Sequence, residues 1–288
     1  MVSYYKLLGL SKEPFSTSPD PLFFYESRDH ERALTNLMIE LRLKRGLAVI
    51  LGDVGTGKTT LSRKLYQLVN AQENFVCHMM LDPVYRDEEM FLTSLVRNFE
   101  VEPDTRGPLM LNLKEALERF LFHKGVEEGK TIVLIIDEAQ KLNGMTLECL
   151  RVLLNYETNE FKLLQLVLLG QMELHAKLMS IPNVLDRISF KYTLNPLDER
   201  EMRQMIDFRV RHAGYRSPIP LFTDRAVRAI HRHTRGYPRR VNMLCHKALK
   251  NLVMRNKFAV DEQMINQLAE EDMRQGLYWM SPAPTVVA

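Results

Sequence analysis

Two rhythms of apolar residues divide this chain. Short apolar runs at Leu47–Leu51, Thr131–Ile136 and Leu163–Leu169 predict buried strands, and Thr131–Ile136 has the form of a central parallel strand covered on both faces; Asn74–Leu81 and Phe190–Leu194 are also expected as strands. Between and before them, apolar residues recur at helical spacing. Leu34, Leu37, Met38 and Leu41 share one face of a predicted helix over 29–43, and further helices are expected over 87–99, 111–126 and 145–156. Strand and helix alternate to about residue 195, which predicts an α/β fold with a parallel sheet sandwiched by helices. At Asn195-Pro196-Leu197 the strand rhythm stops. Helices alone are expected over 198–212, 223–233, 239–255 and 261–274, with Thr223 and Asp261 as N-caps and Gly214 and Gly236 at breaks. The expected organisation is therefore an N-terminal arm and helix over 1–45, an α/β core over 46–196, a small helical domain over 197–276 and a tail over 277–288.

The chemistry sits at the ends of the predicted strands. Directly after the first one, Gly52-Asp53-Val54-Gly55-Thr56-Gly57-Lys58-Thr59 fits the spacing G-x-x-x-x-G-K-[ST] without a gap, and a predicted helix begins at Thr59-Thr60-Leu61. Glycines at Gly52, Gly55 and Gly57 let successive N–H groups turn inward toward phosphate oxygens, where a helix N-terminus also favours negative charge. Lys58 is placed to meet the β and γ phosphates, and the Thr59 hydroxyl to ligate Mg2+. The whole loop through Thr60 is the candidate phosphate cradle; the bland alternative is a glycine-rich turn before an ordinary helix. The run Thr131–Ile136 ends in Asp137-Glu138. Behind a phosphate loop, Asp137 is expected in the Mg2+ shell and Glu138 as the group that polarises a water for attack on the γ-phosphate, rather than as a solvated pair at a strand end. Gln171, just past the run ending at Leu169-Gly170, is expected either to sense the γ-phosphate or to be satisfied by solvent.

Composition narrows the setting. Hydrophobic content of 45% with 26% charged residues is ordinary for a globular protein, and a net charge of +3 decides nothing. Three scattered cysteines, Cys77, Cys149 and Cys245, give no disulfide framework and fit a reducing compartment. No stretch approaches the roughly 18 to 20 apolar residues of a membrane span. Together with a start that lacks a secretory core, this leads to the expectation of a cytoplasmic protein, with peripheral attachment at the inner membrane left open. The aromatic and proline-rich beginning, Pro14-Phe15, Pro19-Asp20-Pro21 and Phe23-Phe24-Tyr25, is either an arm against a nucleotide base or a packing arm.

Phosphate loop, Asp-Glu strand end, polar residue at the next strand end and trailing helices together resemble an AAA+ ATPase, a P-loop NTPase with a small all-α lid. Within that superfamily the chain is similar to the ExeA or GspA type, associated with general secretion and type IV pilus systems. The likeness runs through Gly9-Leu10, Pro14-Phe15, Gly55-Thr56-Gly57-Lys58-Thr59-Thr60-Leu61, Ile136-Asp137-Glu138-Ala139-Gln140, Leu169-Gly170-Gln171 and Gly236-Tyr237-Pro238-Arg239-Arg240-Val241-Asn242. It implies ATP with Mg2+, ATP hydrolysis, and a homo-oligomeric ring or spiral that remodels a protein partner in an envelope or pilus system. It also implies that Arg187 is an arginine finger offered to the neighbouring subunit's γ-phosphate, the competing reading being a surface ion pair. Arg239 is then the sensor arginine reaching its own nucleotide from the lid. A guanidinium suits both roles, being a permanently charged planar fork. Met172 departs from the proline that relatives often carry there.

From Arg225 to Lys257 there are ten Arg or Lys residues and no Asp or Glu. This block is either a double-stranded DNA footprint, as in the transposition ATPases of the TnsC and MuB type, or a set of solvated helix faces around Arg239. The sequence thus leaves three functions open: an ATP-driven remodelling enzyme, an ATP-dependent DNA-binding regulator, and a nucleotide-binding scaffold with little turnover.

Overall fold

The computed structural model describes residues 3–16 and 21–276. The proline motif at 19–20 and the tail over 277–288 lie outside them. The helices are α1 (Tyr4–Leu7), α2 (Arg28–Arg42), α3 (Lys58–Asn70), α4 (Glu88–Asn98), α5 (Leu109–Phe122), α6 (Gly144–Leu153), α7 (Met172–Met179), α8 (Pro182–Leu185), α9 (Glu199–His212), α10 (Asp224–Thr234), α11 (Pro238–Met254) and α12 (Glu262–Arg274). The strands are β1 (Leu47–Gly52), β2 (Phe75–Met80), β3 (Thr131–Ile136), β4 (Leu164–Gly170) and β5 (Ile188–Leu194). The chain divides into two compact units, one of residues 28–54 and 58–194, the other of residues 1–27, 55–57 and 195–288.

The first unit is built on a five-stranded, all-parallel sheet in the order β2-β3-β4-β1-β5. Parallel strands need crossover helices, and these cover both faces of the central strands β1, β3 and β4, whose residues are all buried, whereas the edge strand β5 alternates half-buried and exposed residues. The period of two still sorts their side chains. Leu47, Val49 and Leu51 of β1 and Ile132, Leu134 and Ile136 of β3 pack on one face with α4, α5 and α6. Ala48 and Ile50, with Val133 and Ile135, pack on the other with α2 and α3. Because β1, β3 and β4 are central and parallel, their carboxyl ends come out at one edge of the sheet, where open α/β sheets place ligands.

Helix ends obey local chemistry. Asp87, Asn143 and Asp198 cap α4, α6 and α9, and the expected caps at Thr223 and Asp261 accept hydrogen bonds from the Ala226 and Met264 N–H groups. The predicted helix over 111–126 is α-helical only to Phe122 and then widens into a π-helical turn over His123–Glu127. Helices α7 and α8, too short to announce themselves in the sequence pattern, follow β4.

The second unit is a helical core of α9–α12 to which the N-terminal segment belongs. Leu10, Phe15 and Phe23 are buried in the same cluster as Ile206, Leu244 and Ile265. Arg209 fastens that segment: its buried guanidinium donates to the carbonyl oxygens of Pro14 at 2.7 Å and Phe23 at 2.9 Å and lies over the Phe23 ring. The described part of the arm packs on the same core as α9–α12. At the head of α11, Gly236 has φ +73°, and an added Cβ would stand 1.8 Å from the Leu197 carbonyl oxygen, so only glycine fits there. An isolated parallel bridge, Phe222 to Val260, adds an extended contact to a region expected to be purely helical.

The basic run over 225–257 looks different in three dimensions. Arg232 pairs with Glu262 at 2.6 Å, Lys257 with Asp261 at 2.8 Å, and Lys247 with Asp272. Arg255 donates to Gln267, and Arg240 lies over the Tyr237 ring. Acids of α12 and its N-cap Asp261, outside the run in sequence, thus pair with three of its ten cations.

Candidate active site

The strand β1 ends at Gly52 and α3 begins at Lys58, so the loop between them carries the first free N–H groups of a 13-residue helix. Gly55 and Gly57 have φ values of +85° and +102°, which side-chain-bearing residues rarely adopt. Lys58 is only 6% exposed, and its ammonium donates to the carbonyl oxygens of Gly52 at 2.8 Å and Asp53 at 2.9 Å. Burial pushes its pKa below the ordinary lysine value; the carboxylates of Glu138, Asp137, Asp53 and Glu173 pull the other way.

Asp137 follows the last residue of β3 and is 1% exposed. One carboxylate oxygen accepts from the Glu138 N–H at 2.9 Å and the other from the Ser62 hydroxyl at 3.1 Å. Among the described residues neither Lys58 nor Asp137 makes an ion pair within 4.0 Å, although each is a buried charge in the same unit. Unpaired buried charge is costly, so a buried cation and a buried anion that do not meet one another suit an anionic ligand and a metal ion respectively. No cluster of three or more His, Cys, Asp or Glu side chains able to hold a metal occurs among the described residues. The residues expected at a metal, Thr59 with one hydroxyl and Asp137 with one carboxylate, are a donor set that fits Mg2+, which retains waters and takes one or two protein oxygens plus substrate phosphates.

Glu138 takes a left-handed backbone, φ +53°, and its carboxylate accepts from the Gln140 side-chain amide at 2.6 Å. The Gln171 side chain caps nothing, while its N–H donates to the Gln140 Oε1 at 3.1 Å. Arg187 stands with a different set of partners: it donates to the Asn183 carbonyl at 3.1 Å and to the Asn155 side chain, and lies in the field of Glu148. Its Nε is buried without a hydrogen-bond partner. In the helical unit the Arg239 N–H donates to the Gly55 carbonyl at 3.3 Å, and its side chain is exposed. The structure therefore gathers Lys58, Asp137 and Glu138 into one electrostatic group, adds Ser62, Gln140 and Glu173 to it, and gives Arg187 other partners. Ser62 had one signal in the sequence, a hydroxyl flanked by Leu61 and Leu65 on the apolar face of a helix.

The fold and loop are of the AAA+ P-loop type, and residues 41–178, just under half of the chain, match the family model described as an AAA domain. Within that class it is similar to the ExeA/GspA type: it is 36% identical over 248 residues to General secretion pathway protein A of Aeromonas hydrophila, covering 85% of this chain and 44% of that protein. The chain thus spans less than half the length of that relative. Among solved structures it resembles the Aeropyrum pernix ORC2 protein in its ADPNP-ADP complexes, with a TM-score of 0.60 at 18% identity, covering 88% of this chain and 72% of that one. It also resembles the Aeropyrum pernix ORC1 protein in complex with DNA, with a TM-score of 0.63 at 14% identity, covering 95% and 71%. At these identities the structural likeness speaks to the fold alone. No helix among the described residues is long and apolar enough to cross a membrane.

Proposed function

We propose that this protein binds ATP with Mg2+ on the loop Gly52–Thr60, hydrolyses it, and works as an oligomer that remodels a protein partner in a secretion or envelope system. The observation that carries the reading is the pair of buried charges, Lys58 and Asp137, that stand in one group without pairing. The family likeness and the ORC2 fold relative, whose structure is described as ADPNP-ADP complexes, support the choice of a nucleotide. The named relative supports the choice of pathway.

In this reading the loop N–H groups and the Lys58 ammonium bind the phosphates, with Lys58 exchanging its two loop carbonyls for phosphate oxygens. Thr59 and Asp137 would hold Mg2+, which when bound neutralises charge on the β and γ oxygens. Glu138 orients a water and accepts its proton as the oxygen attacks the γ-phosphorus. Gln171 senses or orients at the neighbouring strand end. Arg187 acts on the phosphate of the adjacent subunit, and Arg239 on its own nucleotide.

The DNA-dependent reading draws on the ORC1 fold relative and the basic run, but the ion pairs of that run with α12 reduce the free charge available to phosphates. ATP turnover measured with and without double-stranded DNA at two salt concentrations separates the two. We expect turnover that changes less than about twofold on adding DNA at either salt, whereas strong stimulation that collapses with salt would replace the remodelling reading with the DNA one. An absence of turnover would leave a nucleotide-binding scaffold.

A further inference from the structure

One side chain bonds both the Glu138 carboxylate and the Gln171 backbone. Gln140 lies in a short 3-10 turn, Ala139–Lys141, just after the Asp-Glu pair. Its planar amide makes two bonds in opposite directions: Nε2 donates to the Glu138 carboxylate at 2.6 Å, and Oε1 accepts the Gln171 backbone N–H at 3.1 Å. Because both bonds belong to one rigid group, the carboxylate cannot shift along the first without loading the second.

The surroundings hold this amide in place. Lys177 of α7 donates to the carbonyl oxygens of Gln140 and of Leu142, the latter at 3.0 Å, and so holds the turn's backbone. Gly170 leaves room for it, since a Cβ there would come within 3.2 Å of the Gln140 Oε1 and 2.6 Å of Leu174. The short helix that follows Gln171 and carries Lys177 also carries Glu173, whose charge reaches Lys58. The β4–α7 junction is thus linked to the phosphate lysine through Glu173 and to the water-activating carboxylate through Gln140.

We infer that Gln140 is a positioning residue for hydrolysis: it fixes the Glu138 carboxylate relative to the end of β4, so that the base is aligned by the strand end next to it. This rests on the proposed role of Glu138. No bond is made or broken by Gln140. Its amide keeps a charge-assisted hydrogen bond to Glu138 while that carboxylate takes the proton from water.

The two ends of the amide can be removed separately. Gln140→Met deletes both bonds at similar volume, and Gln140→Glu keeps an acceptor for the Gln171 N–H while setting a like charge against Glu138. Gln171→Pro deletes the backbone donor at φ −79°, a value proline adopts, together with the side chain, and Gln171→Ala is its control, which lacks the side chain but retains the N–H. We expect Gln140→Met and Gln140→Glu to keep nucleotide affinity within about twofold and to lower kcat about tenfold, the value of one hydrogen bond. Gln171→Pro should lie below Gln171→Ala in kcat in the wild-type background and equal it in the Gln140→Met background. The inference is overturned if the Gln140 variants turn over like wild type, if affinity falls in step with kcat, or if the proline effect persists without Gln140. Glu138→Gln keeps the outcomes apart. A wild type that hydrolyses ATP, a dead Glu138→Gln and unaffected Gln140 variants would overturn this inference alone; an active Glu138→Gln would overturn the reading beneath it as well.

Discussion

Lys58→Ala will lose nucleotide affinity by on the order of a hundredfold or more, while Glu138→Gln will bind as tightly as wild type and fail to turn over. The asymmetry follows from where each side chain stands. Lys58 is a buried ammonium satisfied only by two loop carbonyls, Gly52 and Asp53, and opposed by its own desolvation. A triphosphate gives it an anionic partner in exchange for neutral ones, and charged hydrogen bonds of this kind contribute about 1.5–3 kcal/mol each. In the proposed mechanism Glu138, in contrast, meets the phosphate only through the water it activates, so its loss should cost the chemical step, on the order of 10² to 10⁴ in kcat. The Gln replacement keeps an oxygen for the Gln140 amide and therefore the local geometry. Equilibrium titration with a fluorescent ATP analogue, beside steady-state phosphate release, reads both. Parallel loss of binding in the two variants would contradict the division of roles.

Arg187→Ala will bind ATP normally yet lose turnover by on the order of 10³ or more, because a guanidinium that completes the phosphate site of the next subunit is worth about 10³ to 10⁵. Here Arg187 bonds Asn155 and Asn183 and leaves its Nε buried without a partner, an arrangement with hydrogen-bonding capacity in reserve. If it acts in trans, mixing Arg187→Ala with Glu138→Gln regenerates intact interfaces, about one in four in a random equimolar assembly. Recovered activity in such a mixture, against none in either variant alone, is the expected outcome. No recovery despite co-assembly seen by light scattering would remove Arg187 from the mechanism in trans.

How far these residues could be read in advance depended on whether their signal was local. The strand Thr131–Ile136 declared itself because every side chain is buried, and the phosphate loop because its glycines answer to backbone geometry. Caps at Thr223 and Asp261 are likewise settled within four residues. What the pattern left open was non-local. The N-terminal arm is held by Arg209 across nearly two hundred residues, and nothing near Pro14 or Phe23 announces that partner. A charge run from Arg225 to Lys257 reads as a cationic face along the chain, yet Glu262 and Asp272 meet it in space. Ser62 and Gln140 are small polar residues whose meaning depends on Asp137 and Glu138 being folded against them.

The claim at the centre is that one loop grips a triphosphate. A crystal structure with a non-hydrolysable ATP analogue and magnesium tests it most directly. The account predicts phosphate density against the amides of Gly55–Thr59, with Lys58 turned from its loop carbonyls onto phosphate oxygens and the metal beside Thr59 and Asp137. An analogue bound elsewhere, with Lys58 still on Gly52 and Asp53, would contradict it.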